Sequence, residues 1–187
     1  MVSETPAEIR IRAQVLTVLR AVMLAAAPEE GCALLLGRRC TGPWSFSRLW
    51  PCLNVWEPAR QRRRRFAIDP REQLQAQRWA RRHGDELLGS VHSHPASPPR
   101  PSRCDRALTA APALMLILGG ELQAGRLELA CWWLPEPPVP GRPGGGEPRP
   151  LVWTMEDPGP SATDPCSLPT PAVFSSAPTS WPASHGI

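Results

Sequence analysis

LLGSVHSHP, residues 87–95, is the stretch from which both the fold and the chemistry of this chain can be inferred. Its apolar first half predicts a buried strand. Because side chains alternate along a strand, His92 and His94 are expected on one side as the chain leaves the sheet, and Ser93 on the other. The proline-rich residues 96–101 cannot extend the sheet, so a loop is expected next.

A Ser-x-x-Asp pattern follows that loop, from Ser102 to Asp105. The pattern is typical of a helix N-terminus and places Asp105 in the first turn of a short helix. Taken singly, histidines are equally common as surface or core residues, and a Ser-x-x-Asp pattern is equally common as an ordinary helix cap. Together, two imidazoles and one carboxylate are the ligands of a catalytic zinc site, whose fourth position stays open for water. The whole string therefore favours a metal site.

The two patterns together, with the aspartate eleven positions after the second histidine, resemble the motif of the JAMM (MPN+, Mov34/PAD-1) metallopeptidases. That family also has an upstream segment, Glu-x-Cys-Gly-hydrophobic-hydrophobic-x-Gly. Residues 30–37, EGCALLLG, match this segment and place Glu30 on the family glutamate. Ala33 stands where the family usually has glycine, a change that removes no functional group. The resemblance covers about residues 8–134.

The resemblance implies a role for each matched residue. His92, His94 and Asp105 would bind Zn²⁺, which activates a water and polarises a carbonyl. Glu30 would act as general base and then as general acid, and the Ser102 hydroxyl would donate a hydrogen bond to the oxyanion. The chain would then be a zinc-dependent peptidase or isopeptidase.

The resemblance also implies a substrate. Only 54 residues separate Gly37 from His92, as in the compact bacterial branch of the family. The expected partner there is a ubiquitin-like or sulfur-carrier protein ending in Gly-Gly, cleaved after its terminal glycine. A tail without side chains suits a narrow groove.

Several alternatives stay open beside this interpretation. Glu29 competes with Glu30 for the base role, although adjacent strand residues face opposite ways and only one can reach the site. Cys104 as a thiol nucleophile is disfavoured, because a helical neighbour of Asp105 would face away. The deaminase and His-Glu-x-x-His patterns do not occur in the sequence. A non-catalytic MPN scaffold and a DNA-associated JAB-domain protein are the alternative functions.

The only support for the DNA-associated function is an arginine-rich segment at residues 60–65, RQRRRR. Its default interpretation is a solvated loop, followed by a docking patch for an acidic protein surface, and then by a nucleic-acid contact. No aromatic residues are interleaved with these arginines, so nucleic acid is not expected as a partner. The chain has no lysine, so its net charge of +4 is carried by arginine.

The 187 residues can build one domain with a substantial core. Of the 25 prolines, 14 lie at or after Pro135, so the metallopeptidase domain is predicted over residues 1–134. Residues 135–187 are rich in Pro, Gly, Ser and Thr and are predicted to be a disordered tail. Trp153, Phe174 and Trp181 are the tail residues that could fold back onto the domain.

The six cysteines include no Cys-x-x-Cys pair, which argues against a structural zinc knuckle and favours free thiols in a reducing compartment. The N-terminus lacks the layout of a signal peptide. Arg20 and Pro28 interrupt the longest apolar stretches, which are too short to span a membrane. A cytoplasmic protein without a membrane partner is expected.

Hydrophobic periodicity and Gly/Pro positions predict the order of elements. His83 lies at the end of a predicted helix and is interpreted as a charge complement to it, not as a ligand. The fold class is α/β (α+β), a layered mixed sheet with flanking helices that is similar to the JAMM and cytidine deaminase sandwich. Strands are predicted near Ile9 and Ile11 and at 32–36, 47–55, 87–91, 113–118 and 126–134; helices are predicted at 13–27, 70–82 and 102–110.

Overall fold

The structure is a computed structural model that describes residues 5–110, 112–121, 124–136 and 146–156. Its helices are α1 (Ala13–Ala26), α2 (Pro70–Arg82) and α3 (Arg103–Leu108), with one short 3-10 helix (Ala59–Gln61). Its strands are β1 (Ile9–Arg12), β2 (Cys32–Arg38), β3 (Trp44–Cys52), β4 (Glu86–His94), β5 (Ala113–Glu121), β6 (Arg126–Leu134), β7 (Arg149–Leu151) and β8 (Trp153–Glu156).

All eight strands form one mixed sheet in the order β7-β6-β5-β4-β2-β3-β1-β8. The pairs β1/β3, β1/β8 and β4/β5 are parallel, and the other neighbours are antiparallel. The predicted mixed sheet with flanking helices is confirmed. No helix in the described ranges is long and apolar enough to cross a membrane.

The main core lies between α1 and the sheet. Val15, Leu19 and Met23 of α1 recur at helical spacing and are all buried, as expected for an amphipathic helix packed on a sheet. They join the same apolar cluster as Val91 of β4 and Leu116 of β5. Since side chains alternate along a strand, His92 and Ile117 point away from this cluster. The metal-binding pattern thus lies on the face of the sheet opposite α1.

β4 extends further than predicted. It runs through His94, because His92 pairs with Cys32 of β2 on one side and His94 pairs with Gly119 of β5 on the other. The histidines therefore belong to a strand that is hydrogen-bonded on both edges. Backbone pairing fixes their direction more firmly than a loop would.

The sheet continues past residue 134, where the domain was predicted to end. β7 pairs with β6, and β8 pairs with β1. Trp153 donates a hydrogen bond from Nε1 to the main-chain oxygen of Leu129 at 3.1 Å. The expectation of disorder does not hold for residues 149–156, because strand pairing and a half-buried indole offset the ordering entropy. Phe174 and Trp181 lie outside the described residues.

The two edges of the sheet meet. β7 and β8 are separated only by Val152, yet they stand at opposite ends of the strand order. Trp44 of β3 and Trp133 of β6 also meet edge to face, with ring centroids 6.0 Å apart. The sheet is therefore curled around its core, and the segment 149–156 joins its edges.

Candidate metal centre

His92 and His94 are buried side by side on β4, with exposed fractions of 0% and 6%. Ser93 points the other way, as the alternation predicts, and its Oγ accepts a hydrogen bond from the Gly31 amide at 2.9 Å. The Ser93 amide donates to the Gly31 carbonyl at 3.0 Å. These two bonds hold the start of β2, where Glu30 lies, against the histidine-bearing strand.

Asp105 reaches the histidines from the first turn of α3. The Ser102 hydroxyl accepts from the Asp105 amide at 3.1 Å, and Oδ2 of Asp105 accepts from the Ser102 amide at 2.6 Å. This is the capping box that the Ser-x-x-Asp pattern predicts. The cap fixes the carboxylate of Asp105 and leaves Oδ1 directed towards His92.

Three ligand atoms converge in this way. Nε2 of His92 lies 3.0 Å from Nε2 of His94. These two nitrogens lie 3.6 Å from Oδ1 and Oδ2 of Asp105, respectively. All three side chains are buried, and together they form a group that can hold a metal ion.

The polar surroundings favour positive charge at the centre of this group. Nδ1 of His94 lies 2.9 Å from the Pro98 carbonyl, which only accepts, so Nε2 of a neutral His94 presents its lone pair to the group. Burial alone lowers the pKa of His94, but hydrogen bonds to Asp105 and Pro98 raise it overall. Burial opposes ionisation of Asp105 as well, yet the two neighbouring imidazoles hold its pKa well below the usual range. A proton or a metal cation would balance this carboxylate.

The donor set and its spacing fit zinc. With Zn–N and Zn–O bonds of about 2.0–2.2 Å, ligand atoms of a tetrahedral site lie about 3.3 Å apart. The separations of 3.0 and 3.6 Å found here lie on either side of that value. Burial lowers the pKa of His92, which keeps this imidazole neutral and able to ligate. Two imidazoles and one carboxylate leave a fourth tetrahedral position open.

Glu30 lies beside this group at the entrance to β2. It is buried, and its Oε2 has no hydrogen-bond partner in the described part of the chain. Burial raises the pKa of Glu30 to about 7, with a further rise from Asp105 and an opposing effect of His94. Glu30 and His94 line one cleft of about 1000 Å³, whereas Glu29 is not among its lining residues. Of the two candidate bases, Glu30 is the one that faces the cleft.

Ser102 lines the same cleft and is exposed. Its oxygen is engaged as an acceptor in the helix cap, so its O–H remains available to donate to a molecule in the cleft. The structure therefore brings all five predicted site residues into one region. The chemical roles of Glu30 and Ser102 stay predictions.

The four free cysteines among the described residues do not support thiol chemistry at this cleft. Burial raises the pKa of the Cys32, Cys52 and Cys131 thiols to about 12 in each case, so they stay protonated. Cys104 lines a separate cavity of about 520 Å³ and not the cleft that holds Glu30. His83 is the C-cap residue of α2 and stacks on Trp79, so its predicted position at a helix end is confirmed, and its role as a charge complement stays a prediction.

Several residues that the sequence did not single out complete the site. The Phe66 ring stacks on His92 with centroids 4.4 Å apart, and Pro98 supplies the carbonyl that orients His94. Trp132 donates from Nε1 to the Pro99 carbonyl at 2.8 Å and so holds the loop after β4. No local pattern marks these residues: Phe66 and Trp132 act on residues 26 and 33 positions away, and Pro98 acts through a backbone carbonyl, which every residue has.

Gly119 allows that loop to lie close to the sheet. A Cβ atom at this position would lie 2.5 Å from the Pro99 nitrogen and 2.7 Å from the Ser97 oxygen. Both are backbone atoms of the loop that carries the Pro98 carbonyl. The loop can therefore approach β5 only where a residue has no side chain.

Gly119→Ala is expected to displace this loop, which costs about 1–3 kcal/mol of unfolding free energy and weakens metal binding. Thermal unfolding and a zinc titration would measure both effects. Gly42→Ala is the matched control, because a Cβ atom there would meet nothing within 4 Å. Equal behaviour of the two variants would contradict the proposed function of the glycine.

Comparison with known proteins supports the assignment of this chain to the JAB-domain family. The family model of prokaryotic homologs of the JAB domain matches residues 12–134. A protein from Desulfitobacterium hafniense with a known solution structure is 28% identical, with a TM-score of 0.65 over 80% of this chain and 93% of that one. A protein from Salinibacter ruber, also known from its solution structure, is 28% identical, with a TM-score of 0.55 over 83% and 96%. No curated protein matches the chain significantly.

The family match covers the two motifs, strands β2 to β6 and the buried His-His-Asp group. It ends at residue 134, so the closing segment 149–156 lies outside it. This chain belongs to the family of prokaryotic homologs of the JAB domain.

Proposed function

We propose that this protein is a zinc-dependent peptidase or isopeptidase that cleaves after the C-terminal glycine of a ubiquitin-like or sulfur-carrier protein. One observation carries the proposal: a buried carboxylate with an unpartnered oxygen, Glu30, lines the same cleft as a member of the His-His-Asp group. A purely structural glutamate would be expected to find a partner or to face solvent.

In the proposed reaction, His92, His94 and Asp105 hold Zn²⁺. When bound there, zinc supplies Lewis acidity, which polarises a carbonyl and lowers the pKa of a water. Glu30 accepts a proton as the water oxygen bonds to the carbonyl carbon, and it returns this proton to the leaving nitrogen as the C–N bond breaks. The products are a carboxylate and an amine.

The Ser102 hydroxyl is proposed to stabilise the carbonyl oxygen as it gains negative charge. Its hydrogen is free because its oxygen, and not its O–H, serves the cap of α3. The cap also holds the hydroxyl in place before the substrate arrives, so little reorganisation is required. A single preorganised donor of this kind is worth about 10²–10³ in rate in other hydrolases.

A Gly-Gly tail is the substrate segment that we propose. The metal ligands are at most 7% exposed, so a scissile bond must approach them through a confined space. Glycine has no side chain to exclude from such a space and can adopt backbone conformations that other residues avoid. A ubiquitin-like or sulfur-carrier protein presents such a tail.

The test uses the purified full chain loaded with zinc and a Gly-Gly-terminated ubiquitin-like protein fused to a second protein. Cleavage after the terminal glycine is expected, with mass spectrometry of both products as the measurement. A chelator should stop the reaction and added zinc should restore it. Binding of the fusion without any cleavage, in the zinc-loaded state, would instead support a non-catalytic scaffold.

A further inference from the structure

Four of the five arginines in segment 60–65 form two pairs with different surroundings. Arg62 bonds to Glu57 at 2.6 Å and to the Trp56 carbonyl at 2.8 Å, and the Arg65 guanidinium lies 5.2 Å from the centre of the Trp56 ring. Arg63 and Arg64 have no ion pair or hydrogen bond to any other described side chain, and both line the cleft that contains Glu30. The segment is therefore part of the cleft wall and not simply a solvated loop.

This wall is tied to the catalytic strand through its backbone. The Glu30 amide donates to the Arg62 carbonyl at 2.7 Å. The Asn54 side-chain amide donates to the carbonyls of Glu30 and Arg65, at 3.0 and 2.9 Å, and its Oδ1 accepts from the Trp56 and Ala67 amides. The backbone that carries Arg63 and Arg64 is consequently held close to Glu30.

Apart from Glu30, the unpaired charge among the described lining residues of this cleft is positive. Glu121, the other acidic residue on the wall, is paired with Arg126. Two unpaired guanidinium groups in a cleft attract anionic groups of a ligand and form charge-assisted hydrogen bonds with carboxylates.

We infer that Arg63 and Arg64 select substrates with acidic side chains on the leaving-group side of the scissile bond. The inference rests on the proposed function. The assignment to the leaving-group side follows from the hydrogen bond between the Glu30 amide and the Arg62 carbonyl, which places Arg63 and Arg64, the arginine wall, next to Glu30. In the proposed reaction Glu30 returns its proton to the leaving nitrogen, so the arginine wall lies near the leaving group.

An acidic polypeptide fits this wall better than a nucleic acid does. Single-stranded nucleic acids bind to basic grooves that also offer aromatic rings on which bases stack. The described lining of this cleft contains only aliphatic, proline, serine, histidine and charged side chains. A carboxylate of Asp or Glu needs no stacking partner.

The experiment uses the zinc-loaded full chain and two fusion substrates. Both carry a Gly-Gly tail, followed by Glu-Glu in one and Gln-Gln in the other. The wild-type protein should show a kcat/KM for the Glu-Glu substrate about fivefold higher than for Gln-Gln, as expected for two exposed charge pairs. Arg63→Gln/Arg64→Gln should bring the ratio to about one.

Two further variants test the charge itself. Arg60→Gln/Arg78→Gln removes the same charge from exposed positions outside the cleft lining and should keep the wild-type ratio. Arg63→Glu/Arg64→Glu should favour a Lys-Lys substrate over Glu-Glu. Equal use of the Glu-Glu and Gln-Gln substrates by the wild type, or an unchanged ratio in the Arg63→Gln/Arg64→Gln protein, would overturn the inference.

Fluorescence anisotropy with labelled Gly-Gly-Glu-Glu and Gly-Gly-Gln-Gln peptides separates this inference from the proposed function. If neither fusion is cleaved, the proposed function fails. Tighter binding of the acidic peptide to the wild type than to Arg63→Gln/Arg64→Gln would then still support the role of Arg63 and Arg64 in binding acidic residues. Equal Kd values for the two peptides would refute it. Arg63- and Arg64-dependent binding of a DNA oligonucleotide, without a preference between the peptides, would refute it in favour of a nucleic-acid contact.

Discussion

Glu30→Gln is expected to lower kcat/KM for a Gly-Gly-terminated fusion by about 10³-fold while the protein keeps its zinc. Glutamine has nearly the same shape as glutamate but cannot accept the proton of a water. Glu30 is not a member of the His-His-Asp group, so metal content should stay at one ion per chain. Steady-state kinetics and zinc analysis of the same sample provide the measurement.

Glu29→Gln is the matched control for this variant. Glu29 is the neighbouring carboxylate, but it does not line the cleft with His94 and Ser102. Its replacement should leave kcat/KM close to the wild-type value. Full activity of Glu30→Gln, or a loss confined to Glu29→Gln, would show that Glu30 does not perform the proton transfer.

Loss of both the metal and hydrolysis is the expected result of His94→Ala. His94 supplies one of three ligand atoms, and its Nδ1 also links the metal group to the Pro98 carbonyl. The variant leaves His92 and Asp105 as two ligands, too few for a stable zinc site of the usual kind. Activity should fall to the level of the chelated wild-type protein.

His83→Ala is the control for His94→Ala, because His83 lies at the end of α2 on Trp79, outside the His-His-Asp group. It should keep its zinc and its activity. Circular dichroism would show that both variants are folded. Stoichiometric zinc with full hydrolysis in His94→Ala would remove the basis of the proposed metal centre.

Local rules were enough to predict that His92, His94 and Asp105 come together. The period of two along a strand places His92 and His94 on one face, and a capping box places Asp105 in the first turn of a helix. Both rules concern residues within a few positions of each other. They therefore apply before anything is known about the path of the rest of the chain.

The arginine wall could not be predicted in the same way. Its charge suggested a solvated loop first, because exposed arginines are common on surfaces. Asn54 and the Arg62 carbonyl tie this segment to Glu30 through hydrogen bonds that join residues 24 and 32 positions apart. Composition carries no information about such pairings.

The sequence by itself determined that two histidines and an aspartate would meet, that Glu30 would precede a buried strand, and that the sheet would be mixed. Only the tertiary structure decided which groups surround that centre: Phe66, the Pro98 carbonyl and the unpaired arginines of the cleft. It also decided that residues 149–156 close the sheet. The physical reason is the sequence separation of the interacting residues. Strand period and helix capping act between near neighbours, whereas cleft walls and sheet edges form from segments that are distant in sequence.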